Sequence, residues 1–169
     1  MPSQGPNSGS SFTTSGTPAW SNPTNAQSSD NQYATVTLSA AQTSGSLLAT
    51  GFGFSVPSSA TITGVVVEVE GYASEAGASW RLYLLVGGSR TGNLKQAPIP
   101  STESYVTFGS STDLWGTTLT PTQVNGTGFG TEVIALAPPG WGATISLDHV
   151  RITVYYELEG GFFYQSVII

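Results

Sequence analysis

Between Thr61 and Ala73 the chain runs Thr-Ile-Thr-Gly-Val-Val-Val-Glu-Val-Glu-Gly-Tyr-Ala, and within it Val65, Val67 and Val69 alternate with Val66, Glu68 and Glu70. In an extended chain neighbouring side chains point to opposite faces, so this stretch has one apolar face and one that meets water. The same period, or a short apolar run, recurs from Tyr33 onward. Gly, Pro, Asn and Ser interrupt it too often for helices to fit. With 21 Gly and 10 Pro in 169 residues, the chain is punctuated throughout.

The pattern predicts strands over 33–38, 47–54, 61–73, 80–87, 104–108, 129–137 and 143–156, with a short one over 162–168. Each is rich in Val, Ile, Thr, Tyr or Phe, which suit a pleated, half-buried surface. The separators carry turn chemistry, as at Val56-Pro57-Ser58-Ser59, Gly87-Gly88-Ser89, Asn125-Gly126 and Ala137-Pro138-Pro139-Gly140. Along 80–87, Trp80, Leu82, Leu84 and Val86 oppose Arg81, Tyr83 and Leu85. Tyr83 and Leu85 would stand exposed together, which predicts a subunit contact or a covering loop. In the last long strand Ile145 and Leu147 hold one parity, whereas Val150, Ile152, Val154 and Tyr156 hold the other. A bulge near Asp148 or His149, or a strand passing between two sheet environments, reconciles them. About eight antiparallel strands with uneven loops predict an all-β fold, an antiparallel two-sheet β-sandwich of jelly-roll type. An immunoglobulin-like sandwich ranks second, because its Cys–Trp–Cys pattern is missing.

Only 14 residues are charged, 4 Lys or Arg and 10 Asp or Glu, for a net charge of −6. A coiled coil or a basic nucleic-acid binder needs far more cations, and an acidic chain is repelled by phosphate backbones and anionic lipid, so neither nucleic acid nor membrane is an expected partner. Cysteine is absent, so stability must come from apolar packing rather than disulfides or thiolate–metal bonds. The start of the chain lacks the basic and apolar regions of a signal peptide.

Residues 1–18 are Ser, Gly, Thr, Pro and Asn with a single aromatic, Phe12, too polar to order as an isolated segment. They read as an arm that docks either on a partner or on its own domain. The expected organisation is this arm, a sandwich over 19–156 and an apolar tail over 157–169.

Chemistry is sparse. The one histidine, His149, neighbours Asp148, and Ser146 lies three positions away on the other parity, so a hydrolase triad needs the bulge to assemble. Glu68 with Glu70, and Glu157 with Glu159, are i,i+2 pairs on a strand face, and a solvated face explains them better than a glycosidase pair. Gly51-x-Gly53 and Gly126-x-Gly128-x-Gly130 precede no helix that would make them phosphate cradles. No catalytic residue, cofactor or metal is expected. Trp20, Trp115 and Trp141 sit in loop-like segments, where they could stack on sugars, although plugs closing the ends of a sandwich are more frequent.

Several short motifs follow in order: Ala19-Trp20-Ser21-Asn22-Pro23-Thr24-Asn25-Ala26, Asp30-Asn31-Gln32-Tyr33-Ala34, Gly51-Phe52-Gly53-Phe54-Ser55-Val56-Pro57 and Ala60-Thr61-Ile62-Thr63-Gly64-Val65. Thr112-Asp113-Leu114-Trp115-Gly116, Val124-Asn125 to Phe129-Gly130, and Asp148-His149-Val150-Arg151-Ile152-Thr153-Val154-Tyr155-Tyr156 continue the series. Together, over about residues 19–156, they resemble a domain of virion structural proteins of tailed bacteriophages. The resemblance implies a virion surface component, a capsid decoration (cement) protein or a head or tail fibre module, commonly a homotrimer. Its expected partner is the major capsid protein or another virion protein. A carbohydrate-binding or host-adhesion module is the alternative.

The tail after Gly160-Gly161 carries Phe162, Phe163, Tyr164, Val167, Ile168 and Ile169. A run of β-formers left free is an aggregation hazard, so these residues, with Phe12, Tyr83 and Leu85, are the candidate interface.

Overall fold

The computed structural model describes residues 1–160. The expected strand over 162–168 and the tail candidates Phe162, Phe163, Tyr164, Val167, Ile168 and Ile169 lie outside the described residues.

Among the described residues ten strands run in chain order: β1 (Ser3–Ser8), β2 (Ser11–Ser15), β3 (Ala34–Leu38), β4 (Ser46–Thr50), β5 (Ala60–Ala73), β6 (Ser79–Val86), β7 (Ser89–Pro98), β8 (Ser104–Gly109), β9 (Gly130–Leu136) and β10 (Ala143–Leu158). They form two antiparallel sheets of five strands. The first has the order β1-β10-β5-β8, with β3 also paired to β10; the second has β2-β4-β9-β6-β7. The all-β, two-sheet antiparallel sandwich expected from the sequence is therefore present.

The alternation at the centre of the first sheet works as read. Val65, Val67 and Val69 of β5 and Val150, Ile152 and Val154 of β10 are buried between the sheets. From the second sheet Leu47, Trp80, Leu82, Leu84 and Val133 meet them. The parity change in β10 is a bulge, with the register against β5 shifting between Leu147 and His149. Gly64 shows why β5 needs a residue without a side chain, since a Cβ there would lie 2.3 Å from the carbonyl oxygen of Ser110.

Three features settle or change what the sequence left open. First, residues 1–18 dock on their own domain, one of the two placements expected. β1 pairs with β10 and β2 with β4, so the segment supplies an edge strand to each sheet, and Phe12 is buried in the core rather than offered to a partner. Second, Leu85 is 2% exposed within the single chain and Tyr83 is only half-buried. The cover is β7, whose Arg90 pairs across from Leu85 and places its guanidinium 4.5 Å from the Tyr83 ring centre. Leu85 is thus a packed residue and no longer an interface candidate. Third, the described residues include two short helical turns, a 3-10 turn at Pro23–Ala26 and an α-helical one at Pro121–Asn125 started by a capping box between Thr120 and Gln123. Among the described residues no helix is long and apolar enough to cross a membrane.

Candidate functional site

Loop residues close the ends of the sandwich by hydrogen bonds from side chain to backbone. Asp113 Oδ1 accepts the Trp115 N–H at 2.7 Å, and Asn125 accepts from the N–H of Val56 and donates to its carbonyl at 2.8 and 2.9 Å. Trp20 and Trp115 are both buried. Their indole N–H groups donate to the carbonyls of Gly45 and Val65, each at 3.0 Å. Trp20 also stacks on Trp80, with ring centres 6.3 Å apart. Both are plugs of the kind weighed from the sequence, so neither presents a ring face to a sugar. Trp141 alone of the three candidates is exposed, at 56%.

The densest polar arrangement lies on the outer face of the first sheet. Outward positions of β5 and β10 alternate with the valines, and they bring Glu68 and Glu70 beside Arg151 and His149. Arg151 holds Glu68 through two hydrogen bonds at 2.9 and 3.0 Å and lies 3.9 Å from the Tyr105 ring centre. The bulge places Asp148 where strict alternation would not, 1% exposed, with its carboxylate accepting the backbone N–H groups of Asp30 and Asn31 at 3.3 and 3.2 Å. Glu103, just ahead of β8, joins it and accepts the Tyr33 hydroxyl at 2.9 Å. That bond pushes the Tyr33 hydroxyl up to about 12. Glu70, Glu103 and Asp148 thereby converge, with one oxygen of each within 4.8 Å of the others. Burial pushes the Glu103 carboxyl up; the Tyr33 hydroxyl opposes this, and Asp148 and Glu70 reinforce it.

His149 is fixed at both ring nitrogens. Nε2 is 2.8 Å from Ser8 Oγ and Nδ1 is 2.7 Å from the Tyr105 hydroxyl. Burial pushes the imidazole below its ordinary range, which favours the neutral ring. A serine on a neutral imidazole resembles part of a triad, but the third group here is a tyrosine and not a carboxylate. Ser8 is exposed on an edge strand, and its bond to His149 ties β1 to the centre of the sheet. The sequence pointed to His149 and Asp148. It gave no sign of Ser8, Tyr105 or Glu103, which arrive from distant segments.

No protein-family model matches the chain, and no curated protein matches it either.

On the second sheet the charges are paired differently. Glu132, buried on β9, is held by Arg90 of β7 and by the Ser46 hydroxyl. Although burial pushes the Glu132 carboxyl up, these two bonds outweigh it and hold the group below the usual carboxylate range. This ion pair reaches across β6 from β7 to β9 and offers no free group for chemistry.

Proposed function

We propose that this chain is a non-enzymatic structural protein of a tailed-bacteriophage particle, seated on the capsid surface as a decoration or cement protein, and that its sandwich is wound as a jelly roll. The strand order supports the winding. With the two N-terminal edge strands set aside, the sheets run β3-β10-β5-β8 and β4-β9-β6-β7, the interleaving expected of two Greek keys folded into a double sheet.

The observation that carries the structural role is the placement of the loop aromatics. Trp20 and Trp115, the residues best suited to stack on a ligand, are spent on closing the sandwich and bonding its backbone. A glycan-binding surface relies on several aromatic faces in a row, whereas Trp141 stands as a lone exposed tryptophan among the three candidates. The proposed location rests on the ordered motifs over residues 19–156, which resemble those of virion domains. Mechanically, a rigid sandwich spanning the boundary between shell subunits buries surface on both, and separating the subunits then requires breaking those contacts as well. A homotrimer at a local threefold, contacting the major capsid protein, fits this role.

Particles that carry this chain and particles depleted of it can be compared by the temperature at which they release nucleic acid. The depleted particles are expected to release it several degrees lower. Equal release temperatures, together with selective glycan binding that Trp141→Ala abolishes, would replace this reading with an adhesion module.

A further inference from the structure

Two carboxylate oxygens on the outer face of the first sheet are shut off from solvent and reached by no donor, Glu70 Oε2 and Glu103 Oε1. They belong to the trio with Asp148, whose oxygens come within 4.8 Å of one another. Three ionised carboxylates so close together, partly withdrawn from water, repel one another. A buried acceptor without a donor also loses the hydrogen bonds water gave it. A single proton answers both costs, because a protonated Glu103 becomes a donor to a neighbouring carboxylate and one of the three charges disappears.

The same trio carries a segment of main chain. Residues 27–33 cross over it. The Gln27 backbone bridges to His149, and the Asp30 and Asn31 N–H groups donate to Asp148. The Tyr33 hydroxyl donates to Glu103, while its ring meets Tyr72 edge-on with ring centres 5.5 Å apart. This segment therefore hangs on two of the three carboxylates.

We propose that residues 27–33 are a strap latched by a proton that Glu103 shares with Asp148 and Glu70, so that the strap tightens as pH falls and slackens as pH rises. When the proton leaves, Glu103 and Asp148 repel each other, and each pulls on its own end of the strap.

The titratable and charged groups on this face come from every element packed there. β5 brings Glu68, Glu70 and Tyr72; β8 and the residues before it bring Tyr105 and Glu103; β10 brings Asp148, His149 and Arg151; the strap brings Asp30 and Tyr33. Arg151 is held by Glu68 and stacked on Tyr105, so it is not spare to neutralise the trio. Burial raises the Glu103 carboxyl, so its contribution to stability is complete below the ordinary carboxylate range and is lost as pH rises through the raised value. His149, pushed down by burial, acts in the opposite sense, and its contribution is lost as pH falls below the ordinary imidazole range. A comparison that keeps His149 in both proteins cancels its part.

The test is urea unfolding of the full chain and of Glu103→Gln from about pH 4.5 to about pH 8.5 in chelator, with hydrogen-exchange protection of the Asp30 and Asn31 amides measured alongside. The glutamine is neutral at every pH and keeps a donor. Its stability advantage over the native chain is expected to widen with pH, about tenfold in the folding constant for each unit by which Glu103 is raised. Protection of the two strap amides should fall over the same range in the native chain and stay level in the variant. A gap that is constant or narrows as pH rises overturns the latch. So does restoration of the native strap by millimolar calcium at neutral pH, because a cation would then hold the trio. If Glu103→Gln does not fold, Glu70→Gln gives the same reading with the same expected sign.

Discussion

Trp80 and Trp115 are both fully enclosed, yet their indole nitrogens fare differently. Trp115 Nε1 donates to Val65 at 3.0 Å, whereas Trp80 Nε1 is buried without an acceptor. Replacing either ring with phenylalanine removes a similar volume, so the cavity cost is comparable at both sites. At position 115 the change also leaves the Val65 carbonyl without its donor and weakens the face under Lys95 Nζ, 5.1 Å from the ring centre. At position 80 it removes an unsatisfied donor instead. Trp115→Phe is therefore expected to cost about 1–3 kcal/mol more than Trp80→Phe in urea unfolding. Equal losses, or the reverse order, would mean that the hydrogen bond contributes nothing net. Trp115 and Trp141 share a loop-like setting and only Trp115 is buried, but burial of Trp80 is legible in the alternation along 80–87. Which indole finds a carbonyl is not, since that depends on where a distant strand passes.

At the scale of elements, the strands that the sequence reveals are those with one face in the core. β5 and β10 show the alternation of Val65, Val67 and Val69 and the parity change at Asp148, so both the pairing face and the bulge can be read from residue types. β1, β2 and β7 escape notice because they are edge strands with few buried positions. Their cohesion comes from main-chain bonds, which leave little trace in composition. β7 matters most among these, since its Arg90 covers Tyr83 and pairs beside Leu85, turning an apparent apolar surface into a packed one. The carboxylate trio is equally hidden, because its members come from distant segments and meet only through the pairing of β5 with β8 and β10. β2 contributes one residue to the core, Phe12, and the N-terminal segment should therefore be structural rather than dispensable. Phe12→Ala is expected to lower unfolding stability by about 3 kcal/mol, as for other large core truncations. A loss within about 0.5 kcal/mol, the range of surface substitutions, would show that β2 is held without it.

Across the whole molecule the net charge of −6 is unevenly spread. Glu68, Glu70, Asp148 and Glu157 lie on strands of the first sheet, with Glu103 beside them. Three of the four cations, Arg81, Arg90 and Lys95, lie on β6 and β7 of the second. A sandwich with one acidic face and one with more cations than anions has a preferred orientation on a charged surface. On a capsid the acidic sheet would face solvent, and the second sheet, flanked by the exposed Leu94, would face the shell. The two-sheet architecture is legible from alternation and turn chemistry alone. The most direct measurement is a high-resolution reconstruction of an intact particle that carries this protein. It is expected to show copies of the sandwich, as trimers, on the outer shell at boundaries between major capsid subunits. A shell bare of the protein, with the chain found only at a tail or fibre tip, would contradict the decoration role.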